Sequence, residues 1–302
     1  LLNYRQLAKL KSTYADGLQD CIAEDGRIHS TFNQTEARTG RISSLEPNLQ
    51  NIPVRTAEGR RLREYFNAPA GRVLCDADYS QIELRVLASM SGDTNMINAF
   101  GSGTDIHTVT ASQVFGLPQD MITPELRSRA KAVNFGIVYG IGAFSLSKDL
   151  GVTRAEADRY IKSYLAAYPG VAAYMEKAIE DAKKNGFVTT LYGRRRYIPE
   201  LSNSNGNMRA FGERVARNAP IQGTAADIIK IAMIKVSRSL KDEFSTARLI
   251  LQVHDELIVE CDEKDAEDIC TLLEREMENA ADLAVRLTAE AHFGKTWLEA
   301  KA

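Results

Sequence analysis

The sequence predicts an α+β fold in which a strand-bearing domain is split by a mostly helical one. Three observations carry this. Buried-strand patterns lie towards both ends of the 302 residues, at 72–78 and 249–260. Residues 94 to about 185 read as helices punctuated by Gly or Pro stops. No repeat, low-complexity tract or long linker interrupts the chain. Strands flanking a helical insertion describe one domain divided by another.

Composition narrows the function classes. The chain is 44% apolar, enough for a sizeable core. Its four cysteines, Cys21, Cys75, Cys261 and Cys270, form no CxxC pair. They read as free thiols in a reducing compartment. No apolar run is long enough for a membrane span and no basic-then-apolar leader opens the chain, so no membrane partner is expected. A first residue that is Leu1 and not Met reads as a piece of something longer. The net charge is −2, yet residues 120–230 hold 17 Lys and Arg against 11 Asp and Glu, a local +6. That basic middle fits a localised polyanion site, or else a solvated surface of uneven charge.

Each element follows from local pattern. LNYRQLAKLKSTYADGL has helical spacing and ends near Gly17. GRIHSTFNQ is β-like, and TGRISSLEPNLQNIPVR, rich in Ser, Asn and Pro, reads as loop. Residues 72–78 read as a buried strand; Ser80 with Glu83 three on suits a capping box opening a helix. A helical stretch from about 207 to 241 is expected to break at Pro220. LILQVHDELIVE reads as a hairpin, residues 264–282 as a helix and 285–293 as a last strand.

Three stretches carry chemistry. In the hairpin, His254, Asp255 and Glu256 sit between apolar arms, where burial without partners would be costly; an exposed turn tip is the plainer reading. In CDADYSQIELR, Asp76 and Asp78 alternate and so share a strand face, with Asp78 at its C-terminal end. Magnesium needs only one or two carboxylates plus substrate phosphates. If Asp78 and Asp255 meet across one sheet, two ions could flank a phosphorus centre.

In TPELRSRAKAVNFGIVYG, Thr123 is a plausible N-cap and Pro124 suits the first helical position. Arg127, Lys131, Phe135 and Tyr139 recur every four residues, drifting about 40° per step over roughly 18 Å. Cations for phosphates and rings for a base suit a nucleoside triphosphate. A surface helix with an aromatic core stripe is the alternative. Gly136 and Gly140 leave room for a ligand or another helix, but no GKS or GKT ending makes a P-loop.

DADYSQIELR, RSRAKAVNFGIVYG and LQVHDELIVE resemble, in order and spacing, motifs A, B and C of family A DNA polymerases. The resemblance runs through nearly the whole chain, including TGRISSLEPNLQNIP, GTDIHTVTA, NAPIQGTAADIIK and HFGKTW. It implies the end of a thumb at 1–20, a palm at 21–93 and 206–302, and fingers at 94–205. The rest of the thumb and the nuclease-like domains would precede Leu1.

The resemblance also implies roles. Asp78 and Asp255 would hold two Mg2+ ions, with the Tyr79 carbonyl and with Glu256 beside them. Lys131 would aid catalysis. Arg127, Lys131, Phe135, Tyr139, His107, Gln81 and Glu83 would hold the incoming nucleotide. Glu83 would disfavour a 2′-hydroxyl, and Phe135, in place of Tyr, nucleotides lacking the 3′-hydroxyl. Arg41, Asn218, Gln222 and His254 would touch the primer–template minor groove, whose acceptors recur at every correct pair. A local cap at the Pro220 kink is the alternative for Asn218. TEARTGR departs from the family's usual TATGR: Arg38 could add a phosphate contact and Glu36 oppose one. Arg194–Arg196 could track template phosphates or form an exposed basic turn.

The expected reaction is template-directed transfer of a deoxynucleotide from dNTP to a primer 3′-hydroxyl, releasing pyrophosphate, in the bacterial cytoplasm at the nucleoid. The partners are primer–template DNA, dNTP and the missing N-terminal part. The alternatives are a DNA- or nucleotide-binding fragment inactive without that part, and an RNA-copying polymerase.

Overall fold

A computed structural model describes residues 2–54 and 56–301; Leu1, Arg55 and Ala302 lie outside the described residues, as do the side chains of Leu2 and Asn3. Helix α1 (Leu2–Lys9) continues through π-helical turns at Leu10–Asp16 into α2 (Gly17–Gln19). Strands β1 (Thr31–Asn33) and β2 (Ser43–Leu45) pair antiparallel. The stretch expected to be loop therefore contains β2, because Ser44 is buried and its hydroxyl accepts from the Leu49 amide. Helix α3 (Ala57–Arg61) precedes β3 (Arg72–Tyr79). Then come α4 (Ile82–Ser91), α5 (Thr94–Gly101), α6 (Ile106–Phe115), α7 (Pro124–Val138), α8 (Ala143–Leu150), α9 (Arg154–Ala167) and α10 (Pro169–Asn185). The hairpin β4 (Phe187–Thr189) and β5 (Arg195–Tyr197) leads to α11 (Gly206–Glu243). Strands β6 (Arg248–Val253) and β7 (Glu256–Asp262), helix α12 (Ala266–Glu278) and β8 (Ala289–Gly294) follow. The fold is α+β, with antiparallel sheets.

The chain forms two compact units. The first comprises Leu1–Ser80, Ala226–Ala281 and Leu287–Ala302; the second comprises Gln81–Ala225 and Asp282–Arg286.

The first unit is built on an antiparallel sheet in the order β6-β7-β3-β8. Side chains of a strand alternate between faces, and β3 uses the alternation to separate two jobs. On one face, the Cys75 thiol reaches the Ala266 carbonyl and the Tyr79 hydroxyl donates to the Met277 carbonyl, 2.7 Å away, so that face packs on α12. On the other face lie Leu74, Asp76 and Asp78. Leu74 joins a core with Leu49, Ile52, Val253, Ile258 and Trp297. Trp297 is 1% exposed and meets Phe66 edge-on at 5.5 Å. Asp76 accepts from its Nε1 at 3.2 Å.

The second unit is mostly helical, and α5, α6, α7 and α9 each begin at a capping side chain. Thr123 accepts from the Leu126 amide and Pro124 opens α7, as the spacing predicts. Asp93 caps α5 and also accepts from the Gly170 amide at 2.6 Å. A Cβ on Gly170 would stand 2.9 Å from the Asp93 backbone and side chain, so only glycine permits this approach.

Two sequence expectations fail here. Helix α4 does not start from Ser80: it begins one residue later than a Ser80–Glu83 box requires, behind Gln81 in a left-handed conformation, φ 54°, whose side chain does not cap it. The Ser80 amide instead donates to the Thr288 carbonyl, which carries Ser80 on as part of the sheet region. Nor does Pro220 break α11, which runs through it. Proline removes one backbone donor, and flanking turns of this 38-residue helix, with Ala216, Ala219 and Ile221 buried, outweigh that loss.

Candidate active site

The β6–β7 hairpin turns on His254 and Asp255 alone, so Glu256 already belongs to β7 and stands opposite Asp78 in register. His254 takes a left-handed conformation, φ 53°, which costs a non-glycine residue about 1–2 kcal/mol. The turn is tied to β3 by the Tyr79 amide, which donates to the Asp255 carbonyl at 3.2 Å. Asp78, Tyr79, Asp255 and Glu256 are thus brought together by backbone pairing, whatever their charges would prefer.

The charges are poorly compensated. Burial, reinforced by Asp78 and Glu256, pushes the Asp255 carboxyl up to about 7. Burial and Glu256 likewise push Asp76 up to about 7. Among the described residues one ammonium answers them: Nζ of Lys301 lies 2.6 Å from Oε1 of Glu256, 2.9 Å from Oδ2 of Asp78 and 4.0 Å from Oδ1 of Asp76. Asp76, Glu256 and Asp78 hold Lys301 above its ordinary value against the opposing effect of burial. Arg63 adds a guanidinium 3.7 Å from Oε2 of Glu256. Even so, Oδ1 of Asp76, Oδ1 of Asp78 and Oε2 of Glu256 are buried without a hydrogen-bond donor.

Donor-less buried carboxylate oxygens suit a hard divalent cation. Among the described residues no three His, Cys, Asp or Glu side chains by themselves form a metal-holding group. A cation here would draw remaining ligands from backbone oxygens, water or a substrate phosphate, the coordination that magnesium favours.

In the second unit, α7 carries the expected row. Phe135 and Tyr139 stack with centroids 6.3 Å apart and planes 16° apart, and His107 of α6 lies 6.0 Å from Phe135. Tyr139 forms the C-cap of α7, so the row ends where the helix does. Lys131 is exposed. Arg127 is engaged: its Nε and Nη2 donate to both oxygens of Asp105, at 2.9 and 2.8 Å. Burial works against the Asp105 charge, but Arg127 and the Thr108 amide and hydroxyl bring its carboxyl down to about 2.

His107 is 2% exposed. Burial drives it down to about 4, so it is neutral at pH 7. Its Nδ1 lies 3.0 Å from the Asn134 amide nitrogen, which can only donate. The ring proton therefore sits on Nε2, leaving one neutral donor. Gln81 and Glu83 open α4, and Glu83 is buried.

Of the expected minor-groove residues, His254 and Arg41 belong to the first unit. Burial and then Arg41 lower the His254 pKa. Asn218 and Gln222 belong to the second unit. Because α11 is unbroken, they share a helix face at four-residue spacing, and both are half-buried. That removes the kink on which a local cap at Asn218 would depend.

The sequence reading missed Asp105, Asn134, Arg63 and Lys301. Asp105 and Asn134 sit beside residues already singled out, and Asp105 lies one helical start before His107. Lys301 gives no local signal, because 223 residues separate it from Asp78.

No helix among the described residues is long and apolar enough to cross a membrane. Comparison with known proteins agrees with the family resemblance. A profile of DNA polymerase family A matches residues 1–299. DNA polymerase I of Geobacillus stearothermophilus is 50% identical over the whole chain, which covers 35% of that relative. The thermostable DNA polymerase I of Thermus aquaticus is 49% identical, again over the whole chain and 36% of the relative. The chain spans about a third of the length of these curated relatives. Among solved structures, the POL domain of Pol1 from M. smegmatis, in complex with DNA primer-template and dNTP, superposes with a TM-score of 0.95 at 46% identity. That match covers all of this chain and 53% of the other. Family profile, relatives and fold thus agree over the whole of this chain, and the chain belongs to DNA polymerase family A.

Proposed function

We propose that the chain catalyses template-directed DNA synthesis, transferring a nucleotidyl group from dNTP to a primer 3′-hydroxyl with release of pyrophosphate. The observation that carries this is the set of buried carboxylates where β3 meets the β6–β7 turn, with donor-less oxygens on Asp76, Asp78 and Glu256. The M. smegmatis relative, described with primer-template and dNTP, supports the choice of substrates. Residues 21–93 and 206–302 act as palm, 94–205 as fingers, and 1–20 as the end of the thumb.

Asp78 and Asp255 would hold two Mg2+ ions, joined by the Tyr79 carbonyl. Such ions, when bound, stabilise the attacking and leaving oxygens of an in-line displacement at phosphorus. The residues of the chain do the rest. Lys131 and Arg127 bind and neutralise the triphosphate. The His107 Nε2–H donates to a phosphate oxygen without adding charge. Phe135 and Tyr139 offer stacked faces to sugar and base. Gln81 and Glu83 border the sugar. Arg41, His254, Asn218 and Gln222 donate to minor-groove acceptors, which reports pair shape and not sequence.

Primer extension on a primed DNA template tests the reading. Extension that requires dNTP and a divalent cation and vanishes in Asp255→Asn supports it; extension unaffected by that change overturns it. A second reading is favoured by the chain's span of about a third of its curated relatives: a fragment that binds nucleotide or DNA and polymerises only with the N-terminal part restored. Activity that appears only after an N-terminal fragment is added would select it.

A further inference from the structure

Lys301 carries a full charge into the carboxylate corner and has no role in the reading above. Its ammonium touches Asp78 and Glu256 directly and stands near Asp76. The other cation there, Arg63, is fixed: it is 5% exposed and its guanidinium lies 4.1 Å over the Trp297 ring. Lys301 differs in both respects. Its side chain is 30% exposed, and an ammonium on a four-carbon stem is a compact charge that can swing to water. A divalent cation at Asp78 would stand close to this ammonium, which lies 2.9 Å from Oδ2, and like charges at such spacing repel strongly.

We propose that Lys301 is a positioning residue of the metal site: its ammonium holds Asp78 and Glu256 together in the metal-free protein, and it must withdraw when a divalent cation takes Asp78. This inference rests on the metal reading given above. It makes Lys301 a competitor that weakens capture of free cations. A cation arriving with a triphosphate is better placed to displace it, since it brings some of its own oxygen ligands.

The test titrates Mn2+, without nucleotide, into the unmodified chain and into Lys301→Gln, Lys301→Arg and Asp255→Asn, reading affinity by calorimetry. Lys301→Gln is expected to bind about tenfold tighter, one ammonium being removed from beside the cation. Lys301→Arg keeps the charge and is expected to stay within about twofold of the unmodified chain. Unchanged or weaker binding by Lys301→Gln overturns the inference. If Mn2+ binding depends on Asp255 yet ignores Lys301→Gln, the inference alone fails. If neither the unmodified chain nor Lys301→Gln binds, the metal reading fails with it.

A measurement on the unmodified chain guards against a variant that does not fold. Reductive methylation of Lys301, followed by mass spectrometry, should quicken severalfold on adding Mn2+ while that of exposed Lys162 stays constant. An unchanged rate at Lys301 would mean that the ammonium does not leave, and competition would be excluded.

Discussion

Arg127 grips Asp105 with two arms, Nε and Nη2 reaching separate oxygens at 2.9 and 2.8 Å. A guanidinium held this way has two of its donors committed to a carboxylate, which competes with a phosphate for them. Asp105→Asn weakens that competition and keeps an N-cap for α6. The expected result is nucleotide affinity severalfold tighter than in the unmodified chain. Arg127→Ala should weaken it about tenfold. Fluorescence competition with a labelled dNTP checks both, and weaker binding in Asp105→Asn would contradict the competition.

Removing either carboxylate proposed to hold metal should abolish chemistry and spare the fold. Asp78→Ala and Asp255→Ala are each expected to cut primer extension by at least about 10²–10³-fold. Asp255 is costly to bury in its charged form, so its loss should leave the thermal midpoint level or raised. Near-normal extension by either variant would overturn the assignment.

Lys131 is exposed on the same helix as Arg127 and is expected to serve the nucleotide and not the duplex. Lys131→Ala should raise KM for dNTP by about tenfold or more while primer-template Kd moves less than about twofold. Equal losses in both would count against a phosphate role.

His107 gives a pH signature. Its folded pKa, about 4, lies below the ordinary 6.5, so between those values the unfolded chain binds more protons. Stability is then full above about pH 6.5 and falls as pH drops towards 4, by up to about 3 kcal/mol. Urea midpoints across that range should slope less in His107→Asn, whose amide oxygen can still accept from Asn134. Equal slopes would show that the ring does not stay neutral.

Much of the fold was legible because it is local. Thr123 and Pro124 start α7 by chemistry confined to a few residues, and the alternation of β3 is written in RVLCDADY. The α4 start was misread because the Ser80 amide takes a partner, Thr288, more than 200 residues away. The break expected at Pro220 rests on the loss of one local donor, whereas the buried turns around it keep α11 continuous. In the site, the recurring motif residues were visible, whereas their counter-charges were not. Asp105 reaches Arg127 from another helix, and Lys301 reaches Asp78 from the far end of the sequence. Pairings of this kind come from topology, which no sequence window contains.

The period of two along β3 also fixes what the strand can tolerate as its length changes. Odd positions 75 and 79 face α12, and even positions 76 and 78 face Trp297 and Lys301. One residue inserted between Arg72 and Val73, with the pairing to β7 kept from the far end, would leave the carboxylates in place and turn only Val73's upstream neighbours. One residue inserted between Asp76 and Asp78 would send a carboxylate into the dry face and a hydrophobe into the corner. Insertions in pairs restore the faces but move Asp78 out of register with Glu256. This strand is thus a segment in which substitutions can be graded, whereas the effect of a change in length turns on where it falls and whether it is odd or even.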